Sequence, residues 1–312
     1  MIDRRTFIGS VVAGLAGMRV RALVGAPAAD RLTLGFSTLG CPKWDWVTIL
    51  DFAAAHGYAA IELRGLQGEM DLTRRPEFAP ERIAETKRQL AERNLRVVCL
   101  GSSARMHDME PDRRAAQLEE GRRFIDLAQA LGAPYVRVFG DRQLPGVPRE
   151  RMLEHVAAGL RELGAYAAER GVTVLLESHG DYTDSATLLE LLERANSPSV
   201  ALLWDAHHTF VAGGERPEET FRRLGRFIRH VHLKDSVPDG RGGRRYVLTG
   251  AGEVPVKRQV EVLLEGGYQG VYGFEWEKAW HPEIEEPEVA FAHYAKLMRE
   301  TFGDAKASGK GA

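Results

Sequence analysis

Val172-Thr173-Val174-Leu175-Leu176-Glu177 and Val200-Ala201-Leu202-Leu203-Trp204-Asp205 are two short apolar runs, each closed by a carboxylate. Between them, Ser185 to Ala195 has the length and apolar pattern of a helix. Strand, helix and strand in one such span imply parallel strands joined by a crossover helix. The alternation continues in both directions. Upstream, strands are expected at Leu32 to Phe36, Ala60 to Leu63, Arg96 to Leu100 and Tyr135 to Phe139. Helices are expected over about 46–56, 80–93, 112–131 and 148–170, several of them closed by a glycine such as Gly57, Gly132 or Gly171. Downstream come a helix at Pro217 to Leu224, a strand at Ile228 to Leu233, a glycine- and arginine-rich loop, a helix at Val256 to Glu265, a strand at Val271 to Glu275 and a last helix at Glu288 to Thr301.

Eight strand–helix units suit a closed (β/α)8 barrel, an α/β fold of about 250 residues, better than an open sheet. A doubly wound sheet would announce a glycine-rich phosphate turn after its first strand. The turn here, Ser37-Thr38-Leu39-Gly40-Cys41-Pro42, does not fit. With no repeat or low-complexity linker, residues 29–302 read as one barrel domain, and 303–312 as a polar, frayed tail.

Residues 1–28 read as an address. Asp3-Arg4-Arg5-Thr6-Phe7-Ile8 resembles a twin-arginine export signal. An apolar stretch from Ile8 to Met18 follows, too short to span a bilayer, and then Ala26-Pro27-Ala28, an A-x-A-like cleavage site. The expectation is a periplasmic protein without stable membrane insertion. The formal net charge is −2, and cleavage would remove four arginines and one aspartate, leaving a more acidic chain. Phosphate backbones would repel it, and no long basic run is present, so nucleic acid is not an expected partner. The 2 cysteines exclude a disulfide scaffold, and Cys41 and Cys99 read as two separate buried thiols.

In a (β/α)8 barrel the chemistry sits at the C-terminal rim of the strands. Four successive strands there end in or carry Glu177, Asp205, His232 and Glu275. Three buried carboxylates crowded together repel one another and are poorly solvated unless a cation joins them. Three oxygen donors and one imidazole suit one divalent metal ion, Mn²⁺ before Mg²⁺ or Co²⁺, with Zn²⁺ less typical. The competing reading makes them helix-capping or rim salt-bridge carboxylates.

Leu176-Glu177-Ser178-His179, Trp204-Asp205-Ala206-His207-His208, His230-Val231-His232-Leu233-Lys234-Asp235 and Gly273-Phe274-Glu275-Trp276-Glu277 together resemble the xylose-isomerase-like TIM barrel superfamily, in its sugar (phosphate) isomerase/epimerase branch. Gly57-Tyr58-Ala59-Ala60-Ile61-Glu62-Leu63 adds to the likeness, which covers essentially all of residues 31–302. The resemblance implies that Glu177, Asp205, His232 and Glu275 ligate one divalent metal, with His208 beside it contacting substrate oxygen. Ketose 3-epimerases of this group place an arginine about six residues after the metal histidine. Pro238 stands at that position and the nearest arginine is Arg241, which weakens a simple free-ketose epimerase assignment.

A metal chelating a carbonyl and its neighbouring hydroxyl polarises the carbonyl and stabilises an enediolate. Glu177 and Glu275, on non-adjacent strands, are the expected catalytic carboxylates, one removing a proton from carbon and the other returning it. The expected activity is a metal-dependent sugar isomerase or epimerase acting on an unphosphorylated sugar or keto-glycoside, in carbohydrate metabolism. The same intermediate can lose a β-leaving group, so a dehydratase or lyase resembling dehydroshikimate or inosose dehydratases is the alternative. An apurinic-site endonuclease would add an Asp-x-His pair after strand seven, where the loop offers Asp239 but no following histidine. A non-catalytic sugar binder is the remaining reading, and a homo-oligomer is compatible with the sequence.

Further expected substrate contacts are Lys234, Glu62, His107 and His179. Lys234 alternatively pairs with Asp235, and Glu62 with Arg64 or another barrel residue. His207 and His230 are expected to point away from the metal as structural residues. Thr249-Gly250-Ala251-Gly252-Glu253 could shape a lid or an oxyanion contact. Arg241, Arg244 and Arg245 read as a solvated loop, and Trp44, Trp46, Trp204, Trp276 and Trp280 as rim aromatics or core.

Overall fold

The computed structural model describes residues 32–303; the expected export signal and the tail beyond 303 lie outside them. Eight parallel strands close into a barrel: β1 (Leu34–Ser37), β2 (Ala60–Leu63), β3 (Arg96–Arg105), β4 (Tyr135–Phe139), β5 (Thr173–Glu177), β6 (Val200–Asp205), β7 (Ile228–Leu233) and, after a two-stranded insertion of β8 (Asp235–Pro238) and β9 (Arg244–Val247), β10 (Tyr272–Phe274). The order round the barrel is β1-β10-β7-β6-β5-β4-β3-β2. The jacket consists of α1 (Trp46–Ala55), α2 (Ile83–Glu92), α3 (Pro111–Leu131), α4 (Arg149–Ala168), α5 (Ser185–Ala195), α6 (Ala206–Val211), α7 (Pro217–Leu224), α8 (Val256–Glu265) and α9 (Pro287–Phe302).

The period-two alternation of a strand divides its residues between two environments. On the outside, Leu63, Val136, Val138, Val174, Leu176, Leu202, Trp204, Val231, Leu233 and Phe274 join the large core between sheet and helices. Burying a side chain such as Leu176 contributes about 1.5–3 kcal/mol. Inside, Ala60, Val98, Cys99, Leu175, Ala201, Leu203 and Val271 form a separate, smaller cluster that plugs the barrel floor. Above that plug the inward positions turn polar: Glu62 on β2, Arg137 on β4, Glu177 on β5, Asp205 on β6, and His230 and His232 on β7. Most of the buried charge among the described residues thus gathers in the upper half of the barrel, toward the strands' C-terminal ends. Cys41 and Cys99 are both buried and free.

Besides β3, which runs on to Arg105 where the sequence ends it at Leu100, two elements differ from the sequence expectation. The Gly/Arg-rich loop after β7 is an antiparallel hairpin, β8 with β9. It is anchored by Asp235, whose carboxylate accepts the backbone N–H groups of Ser236, Gly250, Gly252 and Val254 at 2.8–3.1 Å. The Gly250 and Gly252 N–H groups are therefore committed to Asp235 and form no oxyanion contact. The second element is α6, which begins directly after β6. Asp205 caps it, with Oδ1 accepting from the backbone N–H groups of His207 and His208, both at 3.0 Å.

Candidate metal centre and active site

One atom each from Glu177, Asp205, His232 and Glu275 converges within 4.8 Å of the others, and all four side chains are buried. The register explains the meeting: Asp205 and His232 are direct cross-strand partners between β6 and β7, and His232 pairs with Gly273 on β10. His232 is central. Its Nδ1 lies 3.5 Å from Glu177 Oε1, 3.8 Å from Asp205 Oδ2 and 3.3 Å from Glu275 Oε1. Its Nε2 donates to Glu62 Oε2 at 2.7 Å. A proton on Nε2 leaves a lone pair on Nδ1, the second carboxylate–imidazole arrangement that orients metal-bound histidines.

The donor set fits a divalent cation. His232 Nδ1, Asp205 Oδ2 and Glu177 Oε2 are buried and have no aligned hydrogen-bond partner. Asp205 Oδ2 is 2.8 Å from Lys234 Nζ and Glu177 Oε2 is 2.9 Å from Arg137 Nε, close enough for ion pairing but off the hydrogen-bond direction. Oxygen donors with one imidazole are a donor set that divalent cations accept.

Two buried cations brace the carboxylates. Lys234, fully buried, donates to Glu275 Oε2 and, at 2.7 Å, to Glu277 Oε1. Burial opposes its charge, but Asp205, Glu275 and Glu277 outweigh burial and hold the ammonium charged. Arg137, 1 % exposed, places Nε against Glu177 and donates from Nη1 to the Ser102 carbonyl at 2.7 Å. Its guanidinium also lies 3.9 Å above the centre of the Phe139 ring.

A cleft of about 100 Å³ opens over this cluster, lined by Leu39, Arg64, Arg137, Phe139, Glu177, His179, His208, Glu275, Glu277 and Trp280. A larger hollow of about 390 Å³ at the opposite end of the barrel, lined among others by Tyr135, Arg229 and Tyr268, gathers no carboxylate or imidazole. Trp280 is 53 % exposed on the lip. Trp204, on β6, and Trp276, just beyond β10, are fully buried, and their indole N–H groups bond Thr209 Oγ1 and the Glu285 carbonyl. Trp44 and Trp46 pack against Phe52 and Phe78 and do not line the cleft.

His208 lines the cleft with Nε2 3.5 Å from Asp205 Oδ2, and His179 stands edge-on beside it with ring centres 5.2 Å apart. Burial pulls the His179 pKa down, but the Asp141 carboxylate, 3.4 Å from Nδ1, and the charge of Glu177 raise it overall.

The other expected contacts fall elsewhere. Glu62 does not reach the cleft and does not pair with Arg64. It lies one layer down, accepting from both His230 Nε2 at 2.8 Å and His232 Nε2. His230 does not point away from the centre: two residues from His232, it occupies the same inward face of β7. His107 turns toward Asp141, 3.8 Å away, and is absent from the cleft lining. Lys234 takes no part with Asp235. His207 does turn aside, sharing a 2.7 Å hydrogen bond with Ser236 Oγ, and burial drives its pKa down to about 3, which keeps it neutral. Pro238 is paired across the hairpin with Arg244, whose guanidinium bonds Ser236 and takes no part in the cleft lining.

Arg64, Arg137 and Glu277 were not singled out from the sequence. Arg137 could have been found by counting back two residues from Phe139 along the inward face of β4, and Glu277 by its two-residue spacing from Glu275.

The chain is 28% identical over 148 residues to an inosose dehydratase of Clostridium botulinum, a match covering 42% of this chain and 49% of that protein. It is 26% identical over 151 residues to a fructoselysine 3-epimerase of Shigella flexneri, covering 47% and 53%. It therefore spans about half the length of the curated relatives it matches. Among solved structures, a 3-keto-D-glucoside 4-epimerase of E. coli superposes with a TM-score of 0.68 at 18% identity, over 86% of this chain and 100% of that one. The IolI protein with a bound zinc atom superposes with a TM-score of 0.69 at 18% identity, over 86% and 96%. A family model described as xylose isomerase-like TIM barrel matches residues 50–301, and the chain belongs to that family.

Proposed function

We propose that this protein is a metal-dependent isomerase or epimerase that moves a proton beside the carbonyl of an unphosphorylated sugar or keto-glycoside. The observation that carries the reading is the convergence of His232 Nδ1 with one oxygen each of Glu177, Asp205 and Glu275 beneath a cleft lined by hydrogen-bonding side chains. Glu177, Asp205, His232 and Glu275 would hold the cation, Mn²⁺ first among Mg²⁺, Co²⁺ and Zn²⁺. A cation bound there would supply Lewis-acid polarisation of the substrate carbonyl.

The remaining work falls to the protein's own groups. β5 and β10 are separated in the barrel by β6 and β7, so Glu177 and Glu275 approach the cleft from two sides. One carboxylate takes a proton from the carbon next to the carbonyl, and the electron pair moves toward the carbonyl oxygen. A carboxylate on the other face, or the same one at the neighbouring carbon, gives a proton back. Arg137 and Lys234 keep the two carboxylates ionised and oriented. His208 and His179 offer ring nitrogens to hydroxyls, and Trp280 offers an open face for a pyranose ring. The match to inosose dehydratases supports a second outcome on the same groups, loss of a hydroxyl as water.

The test is incubation of Mn²⁺-loaded protein with a panel of keto-sugars and 3-keto-glycosides in deuterated water. Deuterium incorporated at carbon with mass otherwise conserved supports the proton shift, product lighter by one water supports the dehydratase, and neither change across the panel sinks both.

Metal binding is checked apart from turnover. Because a ligand stabilises the fold it binds by RT ln(1 + [L]/Kd), Mn²⁺ at about 100 times Kd adds ~2.7 kcal/mol. Chelator-treated protein is expected to melt several degrees higher on Mn²⁺ addition, and Asp205→Asn to lose that rise.

The unphosphorylated substrate rests on our reading of residues 1–28 as a twin-arginine export signal. Cell fractionation that finds the full-length protein only in the cytoplasm would remove that ground.

A further inference from the structure

Arg64 lies just beyond β2 on its inward face, lines the cleft, and is 8 % exposed. A buried guanidinium ordinarily faces a carboxylate. Among the described residues Arg64 has no such partner within ion-pair distance, and its side chain makes one hydrogen bond, a 3.4 Å contact from Nη1 to the Gly101 carbonyl. Its cleft neighbour is another cation, Arg137, whose charge is already matched by Glu177. Burial and that like charge draw the Arg64 pKa down to about 9, still charged at neutral pH.

The backbone beneath is cut to fit both arms. A β-carbon on Gly101 would lie 2.8 Å from Arg64 Cδ and 2.8 Å from Arg137 Nη2. With a divalent cation in place, Glu177, Asp205, Glu275 and Glu277 are balanced by that cation, Lys234 and Arg137. Glu62, ionised one layer down against His230 and His232, adds one more carboxylate to that set, so what distinguishes Arg64 is not a surplus in the count but that, among the described residues, this cleft-lining cation pairs with no carboxylate.

We infer that Arg64 is the recognition arm for an anionic group on the substrate, so that this enzyme acts on a sugar acid or an acidic glycoside. The inference rests on the reading above, in which the substrate is not phosphorylated; the anion is then a carboxylate, whose two oxygens match the guanidinium fork. The Arg64 head faces the cleft without a protein carboxylate, and a bound anion would complete it.

The test uses Mn²⁺-loaded full-length protein and titration calorimetry with a methyl glucuronoside, its neutral methyl ester, and glucose 6-phosphate. The acid is expected to bind at least about tenfold tighter than the ester, a difference of ~1.4 kcal/mol. Arg64→Gln should erase that preference and Arg64→Lys retain part of it. Thermal melting separates recognition from packing: because no protein carboxylate loses a partner, Arg64→Gln should melt no lower than the parent. Equal affinity for acid and ester, no measurable binding of the acid, a preference that survives Arg64→Gln, or a lowered melting temperature in that variant overturns the inference. A preference for the phosphate over the acid overturns both the carboxylate and the unphosphorylated substrate. Deuterium exchange on neutral keto-sugars is unaffected by these results, so the proton-shift reading stands or falls separately.

Discussion

Glu275→Gln is expected to lower solvent-deuterium uptake and turnover by about 10³-fold or more, and Glu177→Gln by a similar factor. Positioned general acid–base groups contribute about 10²–10⁴-fold, and each substitution also removes a negative charge from the cation's donor set. The amide keeps the shape and hydrogen-bonding reach of the carboxylate but cannot accept a proton from carbon. In Glu275→Gln, Lys234 loses one of the three carboxylates around its Nζ while Asp205 and Glu277 remain, so the fold should persist. On the proposed mechanism the two glutamates act as one proton-handling unit, so the double variant should be little worse than the poorer single one. Single-turnover exchange of a keto-sugar proton, followed by mass, checks this. Exchange at the parental rate in Glu275→Gln would remove that residue from the chemistry. Retained metal-induced melting shifts with lost exchange would place its role in proton transfer; loss of both would place it mainly in holding the cation.

The barrel and the four converging donors were legible because both follow from local regularities. Apolar runs such as Val172 to Glu177 and Val200 to Asp205 announce buried parallel strands, and a carboxylate at the end of such a run is out of place unless it faces a site. What stayed hidden was set by position within the barrel. Glu62 reads like any strand-end carboxylate, and only the curvature of the barrel brings it from β2 beneath β7, to His230 and His232. The period-two rule, applied from His232, would have placed His230 on the inward face. Lys234 obeys that rule too, and its three acidic partners come from β6 and from the segment beyond β10. The hairpin after β7 was masked by its glycines and arginines, because Asp235 and not apolar patterning organises it. Arg137 was overlooked for a similar reason: a lone arginine inside Tyr135 to Phe139 looks like an exposed strand residue until β5 brings Glu177 within reach of it. β4 and β5 pair Phe139 with Glu177, which puts Arg137 two residues below on the same inward face.

Arg137→Met should therefore have a large effect whose size depends on the cation. In chelator-treated protein the substitution leaves Glu177 buried, 2 % exposed, without its main counter-charge, with only the His232 imidazole 3.5 Å away to offset it. Breaking a buried pair by removing one partner costs about 3–5 kcal/mol, a large share of a typical domain's stability of about 5–15 kcal/mol. Loss of the hydrogen bond to the Ser102 carbonyl adds to it. Once Mn²⁺ is bound, the cation supplies the positive charge that Glu177 lacks, and most of the penalty should disappear. Urea unfolding of parent and variant, with chelator and with saturating Mn²⁺, measures both arms. The expected pattern is a gap of several kcal/mol without metal that narrows to about 1–2 kcal/mol with it, the residue being the lost hydrogen bond and ring contact. A gap equal in both conditions would mean that Glu177 does not share its charge with the cation, and the donor set would reduce to Asp205, His232 and Glu275.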